Sequence, residues 1–255
     1  MAYGGNVALI NGLIPANGQN FPLVHMNHVY IDDDTRLSNF IDNINGEIED
    51  LKYVPLTINS FTFTNPENGI VEKGSTVTSV SLNYSCNKKP AILGIDNNPI
   101  SNPPISDTIT LTGLSVTSNR TFTLRGSDEG SHSIIPANVT KTATLYFYDK
   151  IHWGASEVPN NYDDSFILTG LTNHELAANK KKTFTVTAGA NMYIYFALPT
   201  SMGTPTFTSG GFDGGFTKVA QFSHTNSTGS TSARTNYAVW KSDNPNLGLT
   251  TVAVS

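Results

Sequence analysis

The apolar positions of this chain change period once, and the change divides it. Within residues 34–51, DTRLSNFIDNINGEIEDL, they fall at Leu37, Ile41, Ile44, Ile48 and Leu51, with gaps of four, three, four and three. That spacing is a heptad seam and not the alternation of a strand. It predicts a helix opened by Asp34, whose carboxylate can accept a bond from a first-turn N–H, and roughly 27 Å long by the ordinary helical rise. Gly46 weakens it by about 1 kcal/mol relative to alanine. So short a helix is marginal alone, and its seam needs cover. Either the following domain covers it, or copies of the chain do so as a short stalk. Ile41 and Ile48 take the a positions, and Leu37, Ile44 and Leu51 the d positions. This mixture does not separate a dimer from a trimer. Phe40, at g, widens the apolar face and favours three strands. The expected oligomer interface is therefore Leu37, Phe40, Ile41, Ile44, Ile48 and Leu51.

Ahead of the helix no helical period exists. Gly4, Gly5, Gly12, Pro15, Gly18 and Pro22 punctuate residues 1–31, which reads as an extended, turn-rich arm. An arm with apolar residues and no core of its own docks on something else. Phe21, Leu23, Val24, Val29 and Ile31 are its candidate anchor. Behind the helix, Pro55 ends the α pattern, and the period becomes two. Ile58, Phe61 and Phe63, then Val80, Leu82 and Tyr84, then Phe122 and Leu124, then Ala143, Leu145 and Phe147 mark short strands. Asn-, Pro- and Gly-rich turns separate them, as in an immunoglobulin-like β-sandwich. Further strand-like runs follow, and the least interrupted, MYIYFAL at 192–198, belongs in a central position buried on both faces. The expected layout is an arm at 1–33, a helical stalk at 34–54, an Ig-like sandwich at 55–149 and a second β-sandwich at 150–255. A single larger sandwich is the alternative. The fold class is mostly β with one short helix.

Composition narrows the function. Charged residues make up only 14% of 255, the net charge is −5 and no basic stripe exists, which argues against nucleic-acid binding. No apolar run reaches the roughly 18 residues that span a bilayer, so no membrane association is expected. The opening MAYGGNVALINGLIP lacks the basic region of a secretory signal. Cys86, the single cysteine, excludes an internal disulfide. Both fit folding in a reducing cytoplasm. Cys86 itself reads as a small buried residue.

No catalytic constellation appears. His25 and His28 could form a ring of imidazoles on a symmetry axis, but no carboxylate or cysteine stands at metal-motif spacing. Asp32, Asp33 and Asp34 lack the alternation and trailing glutamate of a calcium loop. No metal and no cofactor is expected. Gly210, Gly211, Gly214 and Gly215 bracket Phe212 and Asp213, as a tight β connection with positive φ would require. An aromatic ring beside a carboxylate can also stack on a sugar and bond its hydroxyls, which makes Phe212, Asp213 and Trp240 candidate glycan contacts. A glycan-cleaving enzyme would need two carboxylates roughly 5–10 Å apart in a cleft. Asp163, Asp164, Asp213, Asp243, Glu157 and Glu175 are the available suppliers.

Three phrases, EKGSTVTSVSLNYSCNKKPAIL, TLTGLSVTSNRTFTLRGSDEG and TATLYFYDKIHWGAS, resemble a β-sandwich module of tailed-bacteriophage virion proteins. The closing stretch, MYIYFALPTSMGTPTFTSGGFDGGF through YAVWKSDNPNLGLTTVAVS, is similar to a C-terminal module that accompanies it. NFPLVHMNHVYIDDDTRLSNFIDNI resembles the N-terminal anchors of phage head fibres and capsid-surface spikes. The resemblance implies a non-enzymatic structural protein of the virion, made in the host cytoplasm and carried on the particle surface. Its partners would be copies of itself, the capsid or other virion proteins, and a host-surface glycan. A tail or baseplate receptor-binding protein is the alternative, and a glycan-degrading enzyme a more distant one.

Overall fold

A computed structural model describes residues 37–128, 138–231 and 234–255. The proposed anchor residues Phe21, Leu23, Val24, Val29 and Ile31 lie outside the described residues, as do His25, His28 and Asp32 to Asp34. The described chain forms two units, a helix with its exit segment to Pro55 and a β unit from Leu56 onward.

The heptad pattern folds as predicted into helix α1 (Leu37–Lys52). Lys52 sits in its last turn, where a cation suits the negative end of the helix dipole. Leu37 and Ile41 are half-buried, while Phe40, Ile44 and Ile48 are exposed. The side chain of Leu51 lies outside the described residues.

The β unit begins with β1 (Ile58–Asn65), β2 (Ile70–Glu72) and β3 (Val80–Cys86). Next come β4 (Ile92–Ile95), β5 (Asn98–Pro99), β6 (Ser106–Leu111), β7 (Arg120–Ser127) and the long β8 (Val139–Ser156). One sheet runs β1-β3-β6, and β5-β4-β7-β8 form part of another. Alternation does the packing work. Every second residue of β3, from Val80 to Cys86, is buried, because successive side chains of a strand point to opposite faces. Phe61, Phe63, Leu82 and Tyr84 from the first sheet meet Leu93, Ile95, Phe122, Leu124 and Leu145 from the second in one core. Phe63 and Phe122 pack edge to face, 5.8 Å between centroids. Cys86 closes this core at 4% exposure, and burial pushes its thiol pKa up, so it is a packing residue and not a nucleophile.

The remaining strands are β9 (Asn173–Ala177), β10 (Lys182–Ala188), β11 (Tyr193–Pro199) and β12 (Phe207–Ser209). They are followed by β13 (Phe212–Asp213), β14 (Phe216–His224), β15 (Thr235–Ser242) and β16 (Gly248–Val254). The sheet containing β8 continues as β8-β11-β15-β14, and a separate sheet runs β10-β16-β12-β13. Ile194, Phe196 and Leu198 of β11 join Ile151, Phe184, Phe207, Val252 and Val254 in a second core. Tyr195 and Ala197 face the other way, into a third cluster with Phe166, Ile167, Tyr237 and Val239. Within the 192–198 run, residues 194–198 are thus buried on both faces, and Met192 and Tyr193 are half-buried.

Asp149, the boundary read from the sequence, falls inside β8. Residues 139–145 of this strand pair with β7, 146–148 run parallel to β2, 149–153 pair with β9 and 152–156 with β11. The two halves therefore share a strand instead of a linker. A polar seam reinforces the join. Lys150 Nζ lies 2.9 Å from Glu72 Oε2 and donates to Ser227 Oγ at 2.6 Å. Ser227 also donates its N–H to Glu72, at 3.2 Å. Asn226 donates to the Lys73 carbonyl. Asp149 accepts from Lys73 at 3.3 Å and from Thr235 at 3.1 Å.

Candidate functional site

The β12–β13 hairpin closes over two residues, Gly210 and Gly211, at φ 59° and 87°. A two-residue turn with both central residues at positive φ matches the twist of the strands it joins, and glycine adopts it without strain. The turn sets the register Ser209 opposite Phe212 and Thr208 opposite Asp213. Strand alternation then sends Phe212 and Asp213 to opposite faces.

Asp213 borders a groove of about 440 Å³ between the hairpin and the end of β15. Phe207, Phe216 and Trp240 form its apolar wall, and Thr206, Thr208 and Ser255 add hydroxyls. The Phe207 and Phe216 rings stack at 4.2 Å with 13° between planes, and Trp240 lies 5.7 Å from Phe207. Asp213 Oδ1 accepts from Thr208 Oγ1 at 2.7 Å. Its other oxygen has no protein partner among the described residues. The Trp240 indole N–H is buried and unpartnered among them as well, an unmet donor in the groove wall. No lysine or arginine lines the groove. Such a surface offers ring faces to the C–H face of a pyranose and carboxylate and hydroxyl oxygens to its O–H groups.

Two of the three candidate glycan contacts, Asp213 and Trp240, thus converge, and Phe212 does not. Phe212 is 80% exposed at the hairpin tip and does not line the groove. Phe207 and Phe216 were not singled out from the sequence. Their stacking depends on the pairing of β12 with β16 and of β14 with β15, which no local pattern encodes.

Among the carboxylates considered for glycan cleavage, Asp163 and Asp164 share a pocket of about 430 Å³ with Tyr162, Phe222 and Arg234. Both serve the backbone. Asp163 accepts from the Phe166 N–H at 3.0 Å, and Asp164 from the Thr225 N–H at 3.1 Å and His224 Nδ1 at 2.9 Å. Partial burial pushes the Asp164 pKa up, but the bonds from Thr225 and His224 outweigh it, and the net shift is downward. A general acid needs the opposite shift. Asp243 accepts from Thr217 at 2.7 Å, Glu175 pairs with Lys182, and Glu157 is exposed. Among the described residues no group of three or more His, Cys, Asp or Glu side chains is arranged to hold a metal ion.

The helix offers the other candidate surface. Phe40, Ile44 and Ile48 recur every four residues along one side of α1 and stay exposed in the single chain. Comparison with protein-family models, curated proteins and solved structures finds no match for this chain.

Proposed function

We propose that this protein is a non-enzymatic structural protein of a tailed-phage virion, a head fibre that decorates the capsid surface. The helix joins copies into a trimer, the arm ahead of it docks on the particle, and the β unit is displayed for adhesion to a host-surface glycan. One observation carries the self-association: Phe40, Ile44 and Ile48 keep 42%, 38% and 40% of their surface exposed on a helix that is marginal alone. Apolar residues at heptad spacing bury that surface when helices of other chains pack against them. The virion setting rests on the resemblance of the sequence phrases to phage virion modules, with which the mostly β architecture agrees. The adhesive role rests on the groove walled by Phe207, Phe216 and Trp240 and edged by Asp213.

Three measurements test these parts separately. Wild-type protein should sediment as a trimer, and the Ile41→Lys/Ile48→Lys double variant as a monomer. Unaltered assembly of the variant would mean that the seam packs within its own chain. Antibody labelling of intact particles should mark the capsid; label on the tail or baseplate would make the protein a receptor-binding component there, and unlabelled particles would end the virion reading. On a glycan array, neutral sugars should be retained by wild type and weakened roughly tenfold or more in Trp240→Ala, as loss of an aromatic platform implies. Equal binding by Trp240→Ala and Asp213→Asn would remove the groove, leaving Phe212→Ala to report on the hairpin tip.

A further inference from the structure

Three histidines that no sequence motif connects meet beside the strand shared by the two halves. His152 lies on β8, His174 opposite it in register on β9, and His224 at the end of β14. Ring centroids are 5.6 Å apart for His152 and His174 and 6.0 Å for His152 and His224. Tyr237 of β15 packs on both buried rings, 6.2 Å from His152 and 4.7 Å from His224. His174 is exposed, but His152 and His224 are only 3% and 1% exposed. Each buried ring keeps one nitrogen, Nδ1 of His152 and Nε2 of His224, with no hydrogen-bond partner among the described residues.

Burial with an unpartnered nitrogen suits a neutral imidazole at His152. A neutral ring carries one donor and one acceptor, and an unmet acceptor is a modest penalty. A protonated ring has donors at both nitrogens and a charge, and burying these unpaired costs far more. The charged and titratable neighbours divide unevenly. Asp164 accepts from His224 Nδ1, and Arg234 lies 3.9 Å from the same carboxylate. His152 has no such carboxylate. Lys150 lies two residues along its own strand, with its ammonium committed to Glu72 and Ser227. Asp149 is bound by Lys73 and Thr235, and Glu175 of β9 by Lys182. Tyr237 donates its hydroxyl to the Lys150 carbonyl at 2.6 Å. A proton on His224 therefore places a cation about 6 Å from a ring that already sits near Lys150 and His174.

We propose that the His152–His174–His224 cluster is an acid-sensitive latch, which holds segment 225–229 against β2 and β8 while the rings are neutral and releases it when they are protonated. The segment is placed to respond. Thr225 follows His224 directly and bonds Asp164. Asn226 and Ser227 are the residues that tie this segment to Lys73, Glu72 and Lys150 across the join. Opening it admits water to both buried rings and relieves their charge. The desolvation that holds His152 neutral agrees with this geometry, pushing its pKa down to about 3.

Hydrogen–deuterium exchange of the full chain at about pH 7.5 and about pH 4.5, corrected for intrinsic rates, brackets the ordinary histidine range and tests the latch. Segment 225–229 and β8 residues 150–153 should lose protection roughly tenfold or more in acid, while β3 keeps its protection. His152→Phe, which fills the space without a titratable group, should remove the acid response. Should that variant not fold, ring NMR of the wild-type histidines supplies a second reading. The His152 ring should stay neutral until protection is lost and then titrate together with it. Unchanged protection at low pH, an undiminished acid response in His152→Phe, or a His152 ring that titrates near its ordinary value with the segment closed would each overturn the proposal.

Discussion

In β11, Ile194, Tyr195, Phe196, Ala197 and Leu198 are all fully buried, whereas on α1 the apolar side chains Phe40, Ile44 and Ile48 stay in solvent. The two segments differ in composition, with six apolar residues of seven in β11 against six of sixteen in α1, and they also differ in period. In β11, alternate residues point to opposite faces, and each face meets its own cluster, one with Phe184 and Phe207 and the other with Phe166 and Tyr237. In α1 the apolar residues gather on one stripe, which needs a single long partner. Sheet neighbours within the chain satisfy the strand, whereas Phe40, Ile44 and Ile48 of the helix stay exposed.

The sharpest way to break this comparison is to truncate one residue of each kind. Phe196→Ala removes a ring stacked on Phe184 at 5.8 Å and packed on Phe207 at 5.9 Å. It should cost about 3–5 kcal/mol, read as a lower denaturation midpoint with unchanged m-value. Next in size is acid. His152, held neutral while segment 225–229 is closed but free to protonate once unfolded, makes the unfolded chain bind more protons below about pH 6.5, so stability rises with pH there. The loss accumulates as pH falls until the segment opens and the ring takes its proton in the folded chain. Urea midpoints at a series of pH values should show that loss in wild type and a flatter profile in His152→Phe. The smallest effect is expected on the helix. Ile44→Ala should change the stability of dilute, dissociated protein by less than about 1 kcal/mol, because the side chain is exposed there. The same change should weaken self-association by sedimentation. A large loss of stability in the dissociated protein would show that the stripe already has a partner within the chain.

Much of the fold was legible because the deciding interactions are local. The four-three spacing of Leu37, Ile41, Ile44 and Ile48 gives α1. The alternation around Val80, Leu82 and Tyr84 gives β3, and the glycine pair Gly210 and Gly211 gives the hairpin turn. The division at Asp149 was not legible as a structural feature, since strand alternation continues through it and β8 simply runs on. Half of the groove was legible: Asp213 and Trp240 were named, but Phe207 and Phe216 reach them through hairpin closure and sheet packing. The three histidines are spread over 152–224 and become neighbours only when β8, β9 and β14 assemble.

By itself, then, the order of residues determined the period of each segment and the turns between segments, because these depend on neighbours a few positions apart. Tertiary structure alone decided that one strand serves two cores, that Trp240 joins a phenylalanine pair above Asp213, and that two histidines lie buried with unmet nitrogens. These outcomes depend on which distant strands pair, and pairing is set by the summed burial of whole faces, which no short stretch of sequence carries.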